Sequence, residues 1–479
     1  MNYQPPQHPG EVLQKLEIEE ALGLKDKRYV DTRIARGSEK TFQRFAKKFG
    51  FSPSDSRLFA PTQRHVLFFG HIGSGKTTEL RRYVSELSGP GRFFTVEVDI
   101  NVLLDRHNLQ YADVLMAMAR ALLERLSGQE ITLPAAALSK LENWFAEKVV
   151  NQEKTSELTL GIETSVKANS GIPYLLELLG RFTTAFKNNH TYKESLRQVI
   201  RNTFSDLADA FNELLRAAET ALTDANKARR LLFLIDGTDK LRGEDTRRFF
   251  IHDVEQLLAI TVLAVYTAPI NLKYESHLAG KLDDDLVLPM IKLYEKHGVR
   301  CEAGWVAMRA ILLRRADRSI FASDADIDRL VEHSGGHPRE LLILLKLSCE
   351  FAEGDRLTAA DIEAAIKQLA SEYRRFLEPE DYALLARIDS DAIHAGNDER
   401  TRRLLYNLAL LEYNDASWRR SHPVVRTLDG YQRARSLLPS PATGELAPPW
   451  RGMGRLISTT RAIGWPVRCG PNMSPIFSA

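Results

Sequence analysis

A chain of 479 residues has room for two to four domains, and its 44% hydrophobic and 27% charged content is that of an ordinary globular protein able to bury a sizeable core. The net charge of +2 gives no signature of a nucleic-acid or membrane partner. Three cysteines, Cys301, Cys349 and Cys469, lie far apart without a CxxC pair, which argues against a zinc ribbon or redox dithiol and fits a reducing, cytoplasmic setting. The start, Met1-Asn2-Tyr3-Gln4-Pro5-Pro6, lacks a basic stretch followed by an apolar run, so no signal peptide is expected. No stretch reaches the ~20 apolar residues of a membrane helix.

Residues 1–64 are mixed and polar, with helical patterning near Ser38–Phe49. His65-Val66-Leu67-Phe68-Phe69 then reads as a buried strand closed by Gly70, by length and by its β-branched and aromatic content. Leu80, Tyr83 and Leu87 keep helical spacing over Thr77–Leu87, and Phe93–Ile100 is a second strand candidate. Residues 108–150 read as helical. The alternation of Leu158, Leu160, Ile162, Thr164 and Val166 predicts a half-exposed strand. Helices opened by Pro173 and running through Phe204, Leu207, Phe211, Leu214 and Ala218 follow. Leu231–Ile235 and Thr261–Tyr266 are the third and fourth strands. Strands alternating with helices predict βαβ units, hence an α/β fold with a parallel sheet over residues 65–300. The stretch 152–225 is longer than a minimal core needs and reads as an insertion.

Residues 301–373 read as a separate helical domain. Over 374–435, helices lead into Leu410–Tyr413, a polar turn and Trp418–Ser421, a hairpin behind helices in the manner of a winged helix. From Ser436 to Ala479 the texture changes. Lysine is absent, Glu445 is the only acid, and Pro, Gly, Ser and Arg abound. A disordered tail and translation in a shifted frame both account for it.

The chemistry concentrates at Gly70-His71-Ile72-Gly73-Ser74-Gly75-Lys76-Thr77. Glycines at 70, 73 and 75 allow a tight turn that aims several backbone N–H groups, Ser74's among them, at one point. The helix that follows adds its positive end. Lys76 can reach β- and γ-phosphates, Thr77 can ligate Mg²⁺, and Thr78 is placed for an α-phosphate. The expected ligands are therefore ATP and Mg²⁺. A glycine turn with a chance Lys-Thr is the bland alternative. Asp236 ends the third strand, where a carboxylate meets the phosphate loop and holds Mg²⁺, although Asp-Gly is also a common turn pair. Asp239 is the candidate for polarising the attacking water.

Together, GHIGSGKTTEL at 70–80, LLFLIDGTDKL at 231–241 and SGGHPRELL at 334–342 resemble the AAA+ and STAND ATPases, in particular the branch near origin-recognition and archaeal-type ATPases. The resemblance implies a P-loop NTPase three-layer αβα core, a helical lid and a winged helix. It places Arg339 at the sensor-2 position and Thr267 at the sensor-1 position. A surface arginine and a strand-end cap are their plain alternatives. It sets Tyr29-Val30-Asp31 near the adenine, where a core turn serves equally. Classical AAA+ members carry Asp-Glu where this chain has Asp236-Gly237, so the usual catalytic Glu is missing and slow hydrolysis is expected. Arg247 and Arg248 could act as trans arginine fingers in a homo-oligomer, or simply form a solvated basic helix end.

Between residues 401 and 435 there are seven Arg and three acids. Arg402, Arg403, Arg419 and Arg420 could meet a phosphate backbone, but no base-reading side chains stand out, and a packing or autoinhibitory winged helix is the favoured reading. Three functions follow: a STAND-type ATP switch with an effector protein, in signalling or defence; a DNA-binding initiator-like ATPase; and an ATP-binding adaptor without hydrolysis.

Overall fold

The computed structural model describes residues 3–438 apart from 105–108, 146, 148–170, 189, 242–243, 276–277, 279–281, 392–395 and 415–416. The half-exposed strand expected at 158–166 and the tail beyond 438 lie outside the described residues. Strands β1 (Phe51–Ser52) and β2 (Arg57–Leu58) pair antiparallel ahead of the main sheet. That sheet holds β3 (Arg64–Gly70), β4 (Phe93–Asp99), β5 (Arg230–Asp236), β6 (Leu263–Pro269) and β7 (Asp284–Val287), all parallel, in the order β4-β5-β6-β3-β7.

The apolar runs explain why the sheet sits in the middle. Every residue of β6, and all but the first of β3 and β5, is buried, as expected for parallel strands covered on both faces. Alternate side chains divide between two layers. Val66, Phe68, Leu232, Leu234 and Val265 pack with Phe45, Phe49, Tyr83 and Leu87. Leu67, Phe69, Leu231, Phe233 and Ile235 face the helices of the long β4-to-β5 connection. The result is a three-layer αβα arrangement.

That connection carries the helices Tyr111–Ser127, Ala135–Phe145, Ile172–Asn188, His190–Asn202 and Phe204–Asp224. A buried ion pair joins them: Arg197 donates through Nε to Asp113 at 3.0 Å, and Asp113 also accepts from the Gln110 N–H at the start of its helix.

After β7 come the helices Glu302–Leu313, Asp324–His333, Pro338–Phe351 and Ala359–Arg374, with reciprocal caps at Ser323/Asp326 and Thr358/Asp361. The helices Pro379–Ser390 and Glu399–Tyr406 then lead to the antiparallel pair β8 (Leu410–Tyr413) and β9 (Trp418–Ser421). These parts converge at Gly335-Gly336. Gly336 has φ +78, and a Cβ there would fall 2.0 Å from the Ile291 carbonyl oxygen, so only glycine fits. The Tyr413 hydroxyl of β8 donates to the Gly335 carbonyl at 2.7 Å. No helix among the described residues is long and apolar enough to cross a membrane.

Candidate functional site

The loop of residues 70–77 leaves the C-terminal end of β3, an inner strand between β6 and β7, and runs into the Lys76–Leu87 helix. Gly75 precedes this helix in the left-handed conformation, and no side chain caps its first turn. Its free N–H groups and positive end therefore face the loop. Among the described residues, the Ser74 hydroxyl is buried without a hydrogen-bond partner. In a cradle of N–H groups, such an atom marks a place for an acceptor.

The strand order brings β5 and β6 beside this loop. Asp236 and Thr77 meet across 159 positions of sequence, with the Thr77 hydroxyl 2.9 Å from both carboxylate oxygens. Burial, and then the negative charge of Asp239, push Asp236 up to about 6. A buried carboxylate and a hydroxyl are hard oxygen donors of the kind Mg²⁺ takes together with water and phosphate oxygens, so the residues present fit that ion.

Lys76 is almost fully buried. Its ammonium donates to the carbonyls of Gly70 (3.0 Å) and His71 (2.9 Å) and pairs with Asp239 at 2.6 Å. Thr267, wholly buried near the end of β6, ties the turn after Asp236 to Asp239. Its hydroxyl accepts from the Gly237 N–H at 3.0 Å and faces Asp239 at 3.4 Å. Gly237 has φ +90, and a Cβ there would lie 2.4 Å from Asn101 Nδ2. A glutamate in that place would need both a strained backbone and a displaced Asn101.

Arg339 sits in the first turn of the Pro338–Phe351 helix, lies against Gly73 and pairs with Glu19. Glu19 also reaches Lys240 at 3.4 Å. Tyr29, Val30, Thr78 and Pro338 line the same cavity as Gly73 and Arg339. That cavity is about 100 Å³, against the ~300–1,000 Å³ usual for small-molecule sites. Larger clefts lie elsewhere, at Arg81 and Glu97 and at Arg402 and Glu275.

Two histidines that sequence reasoning passed over tie the loop to the rest of the chain. His71 Nε2 accepts from the Glu412 N–H of β8 at 3.0 Å. His337 Nε2 donates to the Ile72 carbonyl at 2.9 Å while its Nδ1 accepts from the Glu340 N–H. Both rings are buried, and desolvation holds His71 well below the ordinary histidine value and His337 down at about 3. The bonds they make also require neutral rings. Both lie inside quoted motifs, but partners hundreds of residues away leave no local signal.

The four arginines considered for a phosphate backbone are engaged otherwise. Arg419 is buried, donates to Glu412 at 2.9 Å and covers the Tyr274 ring. Burial corrects the expectation that it could meet nucleic acid. Arg403 pairs with Asp381 at 2.7 Å and Arg402 with Glu275 at 3.3 Å. Arg420 lies 5.8 Å from the Trp418 ring. Arg247 and Arg248 are exposed.

No protein-family model matches the chain, and the comparison with curated proteins finds no match. Among solved structures, a Walker-type ATPase of Pyrococcus abyssi aligns over 86% of this chain and 99% of its own, at 13% identity and a TM-score of 0.37. A single-residue variant of RuvB from Thermotoga maritima aligns over 86% and 97%, at 13% identity and a TM-score of 0.33. Values this low carry no inference, so the assignment rests on the sheet and its loop. A parallel αβα sheet with a glycine phosphate loop between one of its inner strands and the next helix decides it. This is a P-loop NTPase fold.

Proposed function

We propose that the chain is an ATP-binding, slowly hydrolysing molecular switch of the AAA+/STAND kind, with Mg²⁺ held at Thr77 and Asp236. Residues 301–373 would act as a helical lid carrying Arg339, and residues 374–435 as a winged helix that keeps the resting form closed. The observation that carries this reading is that consecutive residues of the phosphate loop are bonded to these two parts, His71 to Glu412 and Ile72 to His337. A change of loop conformation on binding phosphate is therefore felt by both parts directly.

Asp239 supports the slow, switch-like character. In the resting form it is the counter-ion of Lys76. Bound phosphates take over that role, which frees the Asp239 carboxylate to accept a proton from water. One carboxylate thus serves rest and turnover in succession, and Gly237 leaves no glutamate to do the second task. Mg²⁺, when bound, neutralises charge on the phosphate oxygens. The small cavity fits a form whose lid must move to admit a nucleotide. Release of the winged helix would then expose a surface for an effector protein or a second copy of the chain.

The test is hydrogen exchange of Leu410–Ser421 with and without ATP and Mg²⁺. Faster exchange on binding is expected. Unchanged protection in a chain shown by calorimetry to bind ATP would sink the switch while leaving the ATP site intact.

A further inference from the structure

Arg36 lies behind the phosphate loop and is 3% exposed. Its three donor nitrogens are all used. Nε donates to the Thr32 hydroxyl at 2.8 Å, Nη1 to the Pro289 carbonyl at 2.5 Å and Nη2 to the Ser74 carbonyl at 2.7 Å. All three acceptors are neutral, and no carboxylate stands within ion-pair distance among the described residues. Glu79 is the strongest influence favouring its charge, but it does not touch the guanidinium, and burial pushes Glu79 itself up to about 6.

A buried guanidinium stays protonated, and a buried cation without an anion is an expensive arrangement that proteins seldom keep without a use. Here the charge sits one backbone layer from the cradle, since a Cβ on Gly75 would come 3.6 Å from Nη2. The bond to Ser74 also fixes the loop's orientation. In a loop whose N–H groups converge on phosphate, carbonyls must point away, and a donor fork behind the loop holds one of them there.

We infer that Arg36 is a positioning residue for nucleotide phosphate: it holds the Ser74 carbonyl turned outward and supplies, through the loop, a positive charge whose missing counter-ion is the phosphate chain of the bound nucleotide. This rests on the nucleotide-site reading above. Its effect scales with phosphate charge, so ATP gains most, ADP less and adenosine nothing.

The experiment is calorimetry of the full chain with ATP, ADP and adenosine, the last by displacement of ADP, for the parent, Arg36→Gln and Arg36→Lys. Arg36→Gln removes the charge and should weaken ATP at least tenfold, ADP less, and adenosine less than twofold. Arg36→Lys keeps the charge and should hold the ATP-over-adenosine preference within threefold of the parent. A merely structural role would lower all three ligands alike, and that result overturns the inference. So does Arg36→Gln binding ATP as the parent does. If Arg36→Gln fails to fold by circular dichroism, Arg36→Lys decides alone: a retained preference supports the inference and a lost one overturns it. A parent chain that binds no ATP would refute the nucleotide site itself, which is a separate outcome.

Discussion

Replacing Asp236 with Asn should stabilise the protein while damaging its use of metal. The carboxyl is 5% exposed, and burial with the Asp239 charge raises it from 3.8 to about 6. The folded state therefore binds more protons than the unfolded one between these values, and stability falls as pH rises through that window. A rise to about 6 means that the ionised carboxylate costs roughly 3 kcal/mol at neutral pH. Asn is nearly isosteric and uncharged. It keeps one acceptor for the Thr77 hydroxyl and loses the other, a loss of about 1 kcal/mol. The expected net gain is about 2 kcal/mol at pH 7.5, and the electrostatic part shrinks to about half at pH 5, where the native carboxyl is already mostly protonated.

The assay is urea unfolding of the nucleotide-free protein and of Asp236→Asn at both pH values, followed by ATP calorimetry with and without Mg²⁺. Binding should weaken more with Mg²⁺ than without it. A variant less stable at pH 7.5, or a gain that does not change with pH, would refute the electrostatic reasoning. Equal loss of binding with and without the ion would refute the metal role.

Three further outcomes are expected. Lys76→Ala should abolish ATP binding measured by calorimetry, and undiminished affinity would remove the central premise. Asp239→Asn frees Lys76 from its buried partner, so turnover should be lost while ATP binding persists; phosphate release at the parental rate would show that another group activates water. Tyr413→Phe removes the bond to Gly335 at a buried site, costing about 1–3 kcal/mol, and should speed hydrogen exchange of the hairpin in nucleotide-free protein, with no change at β3 as the internal control. Protection of the hairpin equal to the parent would argue against a latch at that point.

The features legible in sequence are those whose cause is local. The run before Gly70 announces a buried strand through composition, the three glycines and Lys76 announce a phosphate cradle through spacing, and the apolar run before Asp236 announces the partnering strand. Strand β7 was not read, because Asp284 and Asp285 interrupt its apolar pattern and its identity comes from lying beside β3. Arg36 gave no signal for a similar reason: its meaning lies in the Ser74 and Pro289 carbonyls, 38 and 253 positions away. The basic count of residues 401–435 shows the opposite limit. Charge per residue is visible in sequence, but the folding of Arg419 onto Glu412 and Tyr274 is not.

The bond between His71 and Glu412 spans 341 positions, and that distance is also an interval of time. At ~5–20 residues per second of synthesis, roughly 20–70 s separate the emergence of the phosphate loop from that of the strand that closes over it. During that interval the loop stands uncovered on a nascent chain and meets whatever nucleotide surrounds it. The β8–β9 pair arriving later docks on a loop that is already filled or still empty. In the proposed switch, the first setting is thus made at the ribosome, by the order in which its parts are born.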